Sequence, residues 1–172
     1  YSALLRSYGF EPLEGIVIAD STAEDTCYNG NPVWLLPEMC TTELTIDLVA
    51  SDAGHLLLPG ARAFAEPEET DRSLTTDVVL RSGSTSYRKV LTESTTSIDR
   101  DDGDEEGSFP LALVARRITS EGYVSRAFII GCCAALADQQ LYAMTDSQRL
   151  TVAVMSFLLN TEASDLQIAP SR

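Results

Sequence analysis

The residues with the most chemical promise are Ile129-Ile-Gly-Cys-Cys133. An apolar run that ends in glycine and passes directly into a nucleophile can expose that side chain at a tight strand-to-helix elbow. A thiol placed there needs a base to take its proton, and His55 is the only imidazole in the chain. The motif lacks the second glycine of the G-x-S-x-G type, and nothing in the sequence brings His55 close to it. An amidotransferase-like cysteine hydrolase is therefore the alternative reading.

The other cysteines extend the question without answering it. Positions 27, 40, 132 and 133 follow no paired C-x-x-C spacing, so a sulfur-based zinc site is not expected. Cys27 and Cys40 flank a turn-rich loop; outside the cytoplasm they could bond, and in a reducing compartment they would stay thiols. Cys132 and Cys133 lie in an apolar run and read as buried small hydrophobes.

An acidic stretch, Asp102-Gly-Asp104-Glu-Glu106-Gly107, matches the opening of an EF-hand-like calcium loop except for glutamate in place of Asp or Asn. Its twelfth position is Leu113, where a bidentate glutamate is required, and the flanks read as strand; a solvated turn is the expectation. Trp34, with Tyr28 and Pro32, could form an exposed recognition patch, though a lone Trp in a loop more often folds back onto the core. No G-x-G-x-x-G, Gly-Lys-Ser/Thr phosphate loop or H-E-x-x-H is present, so the strong signatures for dinucleotides, nucleoside triphosphates and zinc are missing.

Composition narrows the partners. Twelve basic against twenty-six acidic residues give a net charge of −14 over 172 residues, which repels phosphate backbones and anionic headgroups, so no nucleic-acid partner is expected. An apolar content of 44% with 22% charged residues is that of a folded globular chain, with one domain over 1–172. No stretch reaches the roughly 20 apolar residues that cross a bilayer. The chain opens at Tyr1 in what reads as the middle of a helix, which leads us to expect a fragment of a larger, membrane-anchored protein.

The elements that must position these groups follow from periodicity. Leu4, Leu5 and Tyr8 share a helical face that Gly9 ends. Gly15–Asp20 and His55–Pro59 are short apolar runs of the kind buried in a parallel sheet. Thr41–Leu44 opens a helix with a hydroxyl cap, running to near Gly54. Asp77–Arg81 reads as a strand, Tyr87–Leu91 as a weak one, and Phe109–Arg116 with Ser125–Gly131 as a hairpin turning at Glu121-Gly122. A short helical turn is expected over Ala134–Leu141, and Leu150, Val154, Phe157 and Leu158 mark a packed helix over Ser147–Asn160. Helices interleaved with buried strands predict a layered α/β fold, its mostly parallel sheet carrying one antiparallel hairpin.

Taken in order, Leu4–Phe10, Gly15–Asp20, Phe109–Ala115, Ser125–Gly131, Phe157–Asn160 and the tail Leu166–Pro170 resemble the gliding-motility-type ABC-transporter auxiliary proteins of bacteria. The resemblance implies a flavodoxin- or glutamine-amidotransferase-like α/β layer without that enzyme's active site, here incomplete on its N-terminal side. It implies a non-catalytic domain at the extracytoplasmic face of the cell membrane, working in protein or ligand binding with ABC permease and ATPase subunits, and anchored only through segments outside this chain. Where the family carries Gly-Asp/Ser-Ser-Asp, this chain has Gly131-Cys-Cys-Ala134; no catalytic, cofactor-binding or metal-ligating residue is carried over, and no cofactor is implied. A missing first half would leave a sheet edge open, so a homodimer formed by edge pairing is a further expectation. A secreted solute-binding module is a third reading, and it requires a concave pocket.

Overall fold

A computed structural model describes residues 2–20, 26–51, 56–68, 71–135 and 145–160. Its longest strand is Pro110–Ile118, whose first six residues are buried. Numbered in chain order, the described elements are α1 (Ser2–Ser7), β1 (Ile16–Ile18), a 3₁₀ turn (Tyr28–Gly30), β2 (Trp34–Leu35), β3 (Glu38–Met39), α2 (Ile46–Ala50), β4 (Leu58–Pro59), β5 (Leu74–Arg81), β6 (Tyr87–Lys89), β7 (Glu105–Glu106), β8 (Pro110–Ile118), β9 (Val124–Ile130) and α3 (Thr145–Leu159).

The strands form three sheets, ordered β1-β6-β7, β2-β4 and β3-β5-β8-β9. Every pairing among them is antiparallel, which corrects the expected parallel layer. The physical reason lies in what buries the short apolar runs. A run such as Ile16–Ile18 reads as parallel because both faces are covered. Here Ile16–Ile18 pairs against Lys89–Tyr87, and the Val17 amide donates to the Ala61 carbonyl at 2.8 Å. Leu58–Pro59 likewise pairs antiparallel with Trp34–Leu35. No crossover helix is therefore needed, and α2 is only five residues long.

The hairpin is where the expectation meets the structure most closely. β8 and β9 pair from Ala112↔Ile130 to Ile118↔Val124, and Gly122, with φ of +84°, closes the turn in the left-handed region that glycine enters without steric cost. β5 runs longer than expected, from Leu74, and a register shift between Val78 and Leu80 bends it along β8. The helix expected over Thr41 to near Gly54 lacks the hydroxyl cap read from the sequence: its N-cap, Thr45, makes no capping side-chain bond, and its hydroxyl instead accepts from the Thr42 amide outside the helix. Its regular part is confined to Ile46–Ala50. His55, and residues 136–141 of the expected helical turn, lie outside the described residues, as does the tail after 160.

Side chains from the two faces of the β5-β8-β9 sheet enter two apolar clusters. On one side Leu113 and Ala115 meet Phe10 and Phe64, with Leu5 and Tyr8 packed against them; Leu4 of the expected helical face points to solvent. On the other, Leu80, Ala112 and Val114 join Val17, Leu35, Leu58, Leu150 and Val154. Full burial of each such aliphatic side chain contributes about 1.5–3 kcal/mol. Between β1 and the β8-β9 pair runs the extended segment 61–65. It bonds on one edge to Leu13, Val17 and Glu11, and on the other to Gly131 and Pro110.

Candidate functional site: a cleft beside the cysteine pair

The end of β9 forms one wall of a cleft. The Arg62 amide donates to the Gly131 carbonyl at 2.8 Å, and the Gly131 amide to the Leu111 carbonyl at 2.8 Å. This approach demands glycine: a Cβ at Gly131 would sit 1.9 Å from the Arg62 carbonyl oxygen. The open cleft so formed, of about 550 Å³, is lined by residues that include Pro12, Pro59, Phe64, Arg62, Cys132 and Cys133.

The two thiols face different surroundings. Cys132 is 3% exposed, and its S–H donates to the Pro59 carbonyl at 3.1 Å. Burial pushes this thiol above its ordinary range; the amides of Ala134 and Ala135, hydrogen-bonded to the sulfur, pull it back only in part. Cys132 is therefore a core-filling group that caps the turn after β9, as expected of a small hydrophobe. Cys133 is exposed, which corrects the expectation that both would be buried: the chain leaves the strand at Gly131, and adjacent residues in the turn point opposite ways. An elbow nucleophile needs a depressed pKa and an orienting base. Cys132 has the reverse shift, and His55 falls outside the described residues.

Cys27 and Cys40 are free, half-buried thiols. Cys27 bridges to Leu35. The Cys40 amide donates to the Val79 carbonyl, and burial raises its thiol against the opposing pull of the Arg81 guanidinium. Arg81 itself makes a bidentate pair with Glu66 at 2.5 and 2.7 Å, the geometry in which a guanidinium holds a carboxylate best.

Trp34 and Tyr28 stack on one another, centroids 6.0 Å apart and planes 20° from parallel. They remain 39% and 37% exposed, so the Trp34 ring does not fold back onto the core and the exposed alternative holds for these two. Trp34 is the register partner of Pro59, which ties the patch to the strand that borders the cleft.

The acidic loop is organised by a residue that sequence reasoning passed over. Lys89 is the single lysine of the chain, and its side chain is 5% exposed. Its ammonium donates to Asp101 Oδ2 at 2.6 Å, to the Asp99 carbonyl at 2.6 Å and to Asp104 Oδ2 at 3.0 Å. The side-chain bond to Asp101 raises the lysine's pKa most, with Asp104 adding to it. The Asp101 amide and then Lys89 lower that of Asp104. The loop is further tied by Tyr87 Oη to the Ile98 carbonyl, by Arg88 to Glu105 and by Arg100 to Glu106. The solvated turn read from the sequence is present, with residues 99–103, 105 and 106 exposed, and Lys89 latches it; among the described residues no group of three or more metal-ligating side chains converges.

Compared with protein-family models, with curated proteins and with solved structures, the chain matches none. No helix among the described residues is long and apolar enough to cross a membrane.

Proposed function

We propose that this chain is a non-catalytic binding domain that serves a bacterial ABC-type transport system as an auxiliary component at the extracytoplasmic face of the membrane, with the permease and ATPase subunits as partners. The cleft beside Gly131 carries the binding half of this reading. It is concave, mostly apolar and of a size that small ligands fill, and its Cys132 thiol is tied up in a bond to the Pro59 carbonyl. The transport half rests on the ordered resemblance of the strand and turn segments. Both halves are tested together. The full-length protein, added to the reconstituted permease and ATPase, is expected to change their ATP hydrolysis, and the native chain is expected to leave glutamine unhydrolysed. Glutamine turnover that disappears in Cys132→Ala or Cys133→Ala would establish the hydrolase alternative instead.

A further inference from the structure

The donors that line the cleft point to its ligand. Pro12 and Pro59 carry no amide hydrogen. Four further wall amides are already bonded: Gly60 to the Val33 carbonyl, Arg62 to Gly131, Phe64 to Pro110 and Gly131 to Leu111. The Pro59 carbonyl already accepts the Cys132 thiol. Arg62 is the one charged residue on the lining, and its guanidinium is the strongest donor offered there.

Arg62 is exposed, and among the described residues its guanidinium makes no ion pair or hydrogen bond. Arg81, Arg88, Arg100, Arg116, Arg117 and Arg149 all meet a carboxylate. In a chain of charge −14, an arginine on an apolar wall that meets no acceptor among the described residues is a donor fork open to a ligand.

We propose that the cleft binds a small carboxylate with an apolar body, the carboxylate on the Arg62 guanidinium and the body against Pro12, Pro59 and Phe64. The inference rests on the binding-domain reading above and names the ligand class of that site. A cationic ligand would meet a like charge. A neutral one would cover the guanidinium without pairing its charge. The protein's overall negative charge opposes an anion only weakly, because salt screens it beyond about 8 Å. A charge-assisted fork acts at contact, inside that screening length.

The test is an amide-resolved NMR titration of the native chain with 3-phenylpropionate and, separately, with 3-phenylpropan-1-ol, which shares the body and lacks the charge. The carboxylate is expected to shift the amides of Gly60, Arg62, Gly131 and Cys133, and to bind about tenfold or more tighter than the alcohol. Arg62→Gln is expected to abolish that preference. Arg62→Lys, which keeps the charge and loses the fork, should retain part of it. Equal affinity for acid and alcohol, an unchanged preference in Arg62→Gln, or shifts that map away from the cleft would each overturn the proposal. The acid–alcohol comparison uses the unmutated chain, so it stands even where a variant misfolds. Its failure leaves the non-catalytic reading in place, since that reading falls only on thiol-dependent turnover.

Discussion

Gly131 and Arg62 lie backbone against backbone, joined by a 2.8 Å hydrogen bond from the Arg62 amide to the Gly131 carbonyl. The space where a side chain at Gly131 would stand is filled by the Arg62 carbonyl. Gly131→Ala must push strand end and segment 61–65 apart. We expect it to cost about 1–3 kcal/mol, seen as a lower urea midpoint, and to widen the cleft.

Leu113 is fully buried in the cluster with Phe10 and Phe64. Leu113→Ala removes its contacts and leaves a void, at an expected cost of about 2–5 kcal/mol. Thermal unfolding of Leu4→Ala is the control: Leu4 is exposed, and its loss should shift stability by less than about 0.5 kcal/mol.

Lys89 should react slowly with amine acylating reagents at neutral pH, because its ammonium is covered by Asp99, Asp101 and Asp104. Mass spectrometry of the acylated chain is expected to find the N-terminal amine modified well before Lys89. Lys89→Met leaves Asp104 without its cation. The segment 90–107 should then become the first site cut by a protease, with a lowered melting temperature.

Stability should decline at both ends of the pH scale. Asp104 and Glu66 have folded pKa values lowered from 3.8 and 4.5. Their contributions are present above those values and are lost as pH falls through the lower, folded ones. The Glu66 pair with Arg81 is largely solvated and adds at most about 1 kcal/mol. At the other end, the thiols of Cys40 and Cys132 are raised from 9.0, so folding favours their neutral form and stability declines as pH rises past 9.0. Lys89, raised from 10.5, keeps its contribution until higher pH still. Urea midpoints measured across pH should trace a plateau between these limits.

Alkylation should separate the adjacent thiols. Cys133 is exposed and Cys132 buried, so a mild probe on the native chain is expected to label Cys133 first and Cys132 only on unfolding. Fast labelling of Cys132 at neutral pH would contradict the burial described here.

The hairpin was legible because β8 and β9 are long and carry their own turn at Gly122. The core face of α3 was legible in part: Leu150 and Val154, one helical turn apart, are both buried, whereas Leu158, expected on the same face, is exposed. Sheet direction was not legible. Ile16–Ile18 is three residues long, and its burial comes from segment 61–65 and from Tyr87–Lys89, which are remote in sequence. Lys89 escaped notice for a related reason: its partners lie 10 to 15 residues further on. A lone lysine just ahead of a cluster of aspartates was the available signal. Arg62 carried no motif at all; its standing depends on which other groups find partners, a property of the folded chain.

The Lys89 latch has one more consequence. Carboxylates crowded into one loop repel one another and are drawn together only where a cation sits among them. Here the counter-ion is covalently part of the chain. The loop's conformation is thereby uncoupled from the mineral content of its surroundings: it should hold the same form in a chelator as in millimolar calcium.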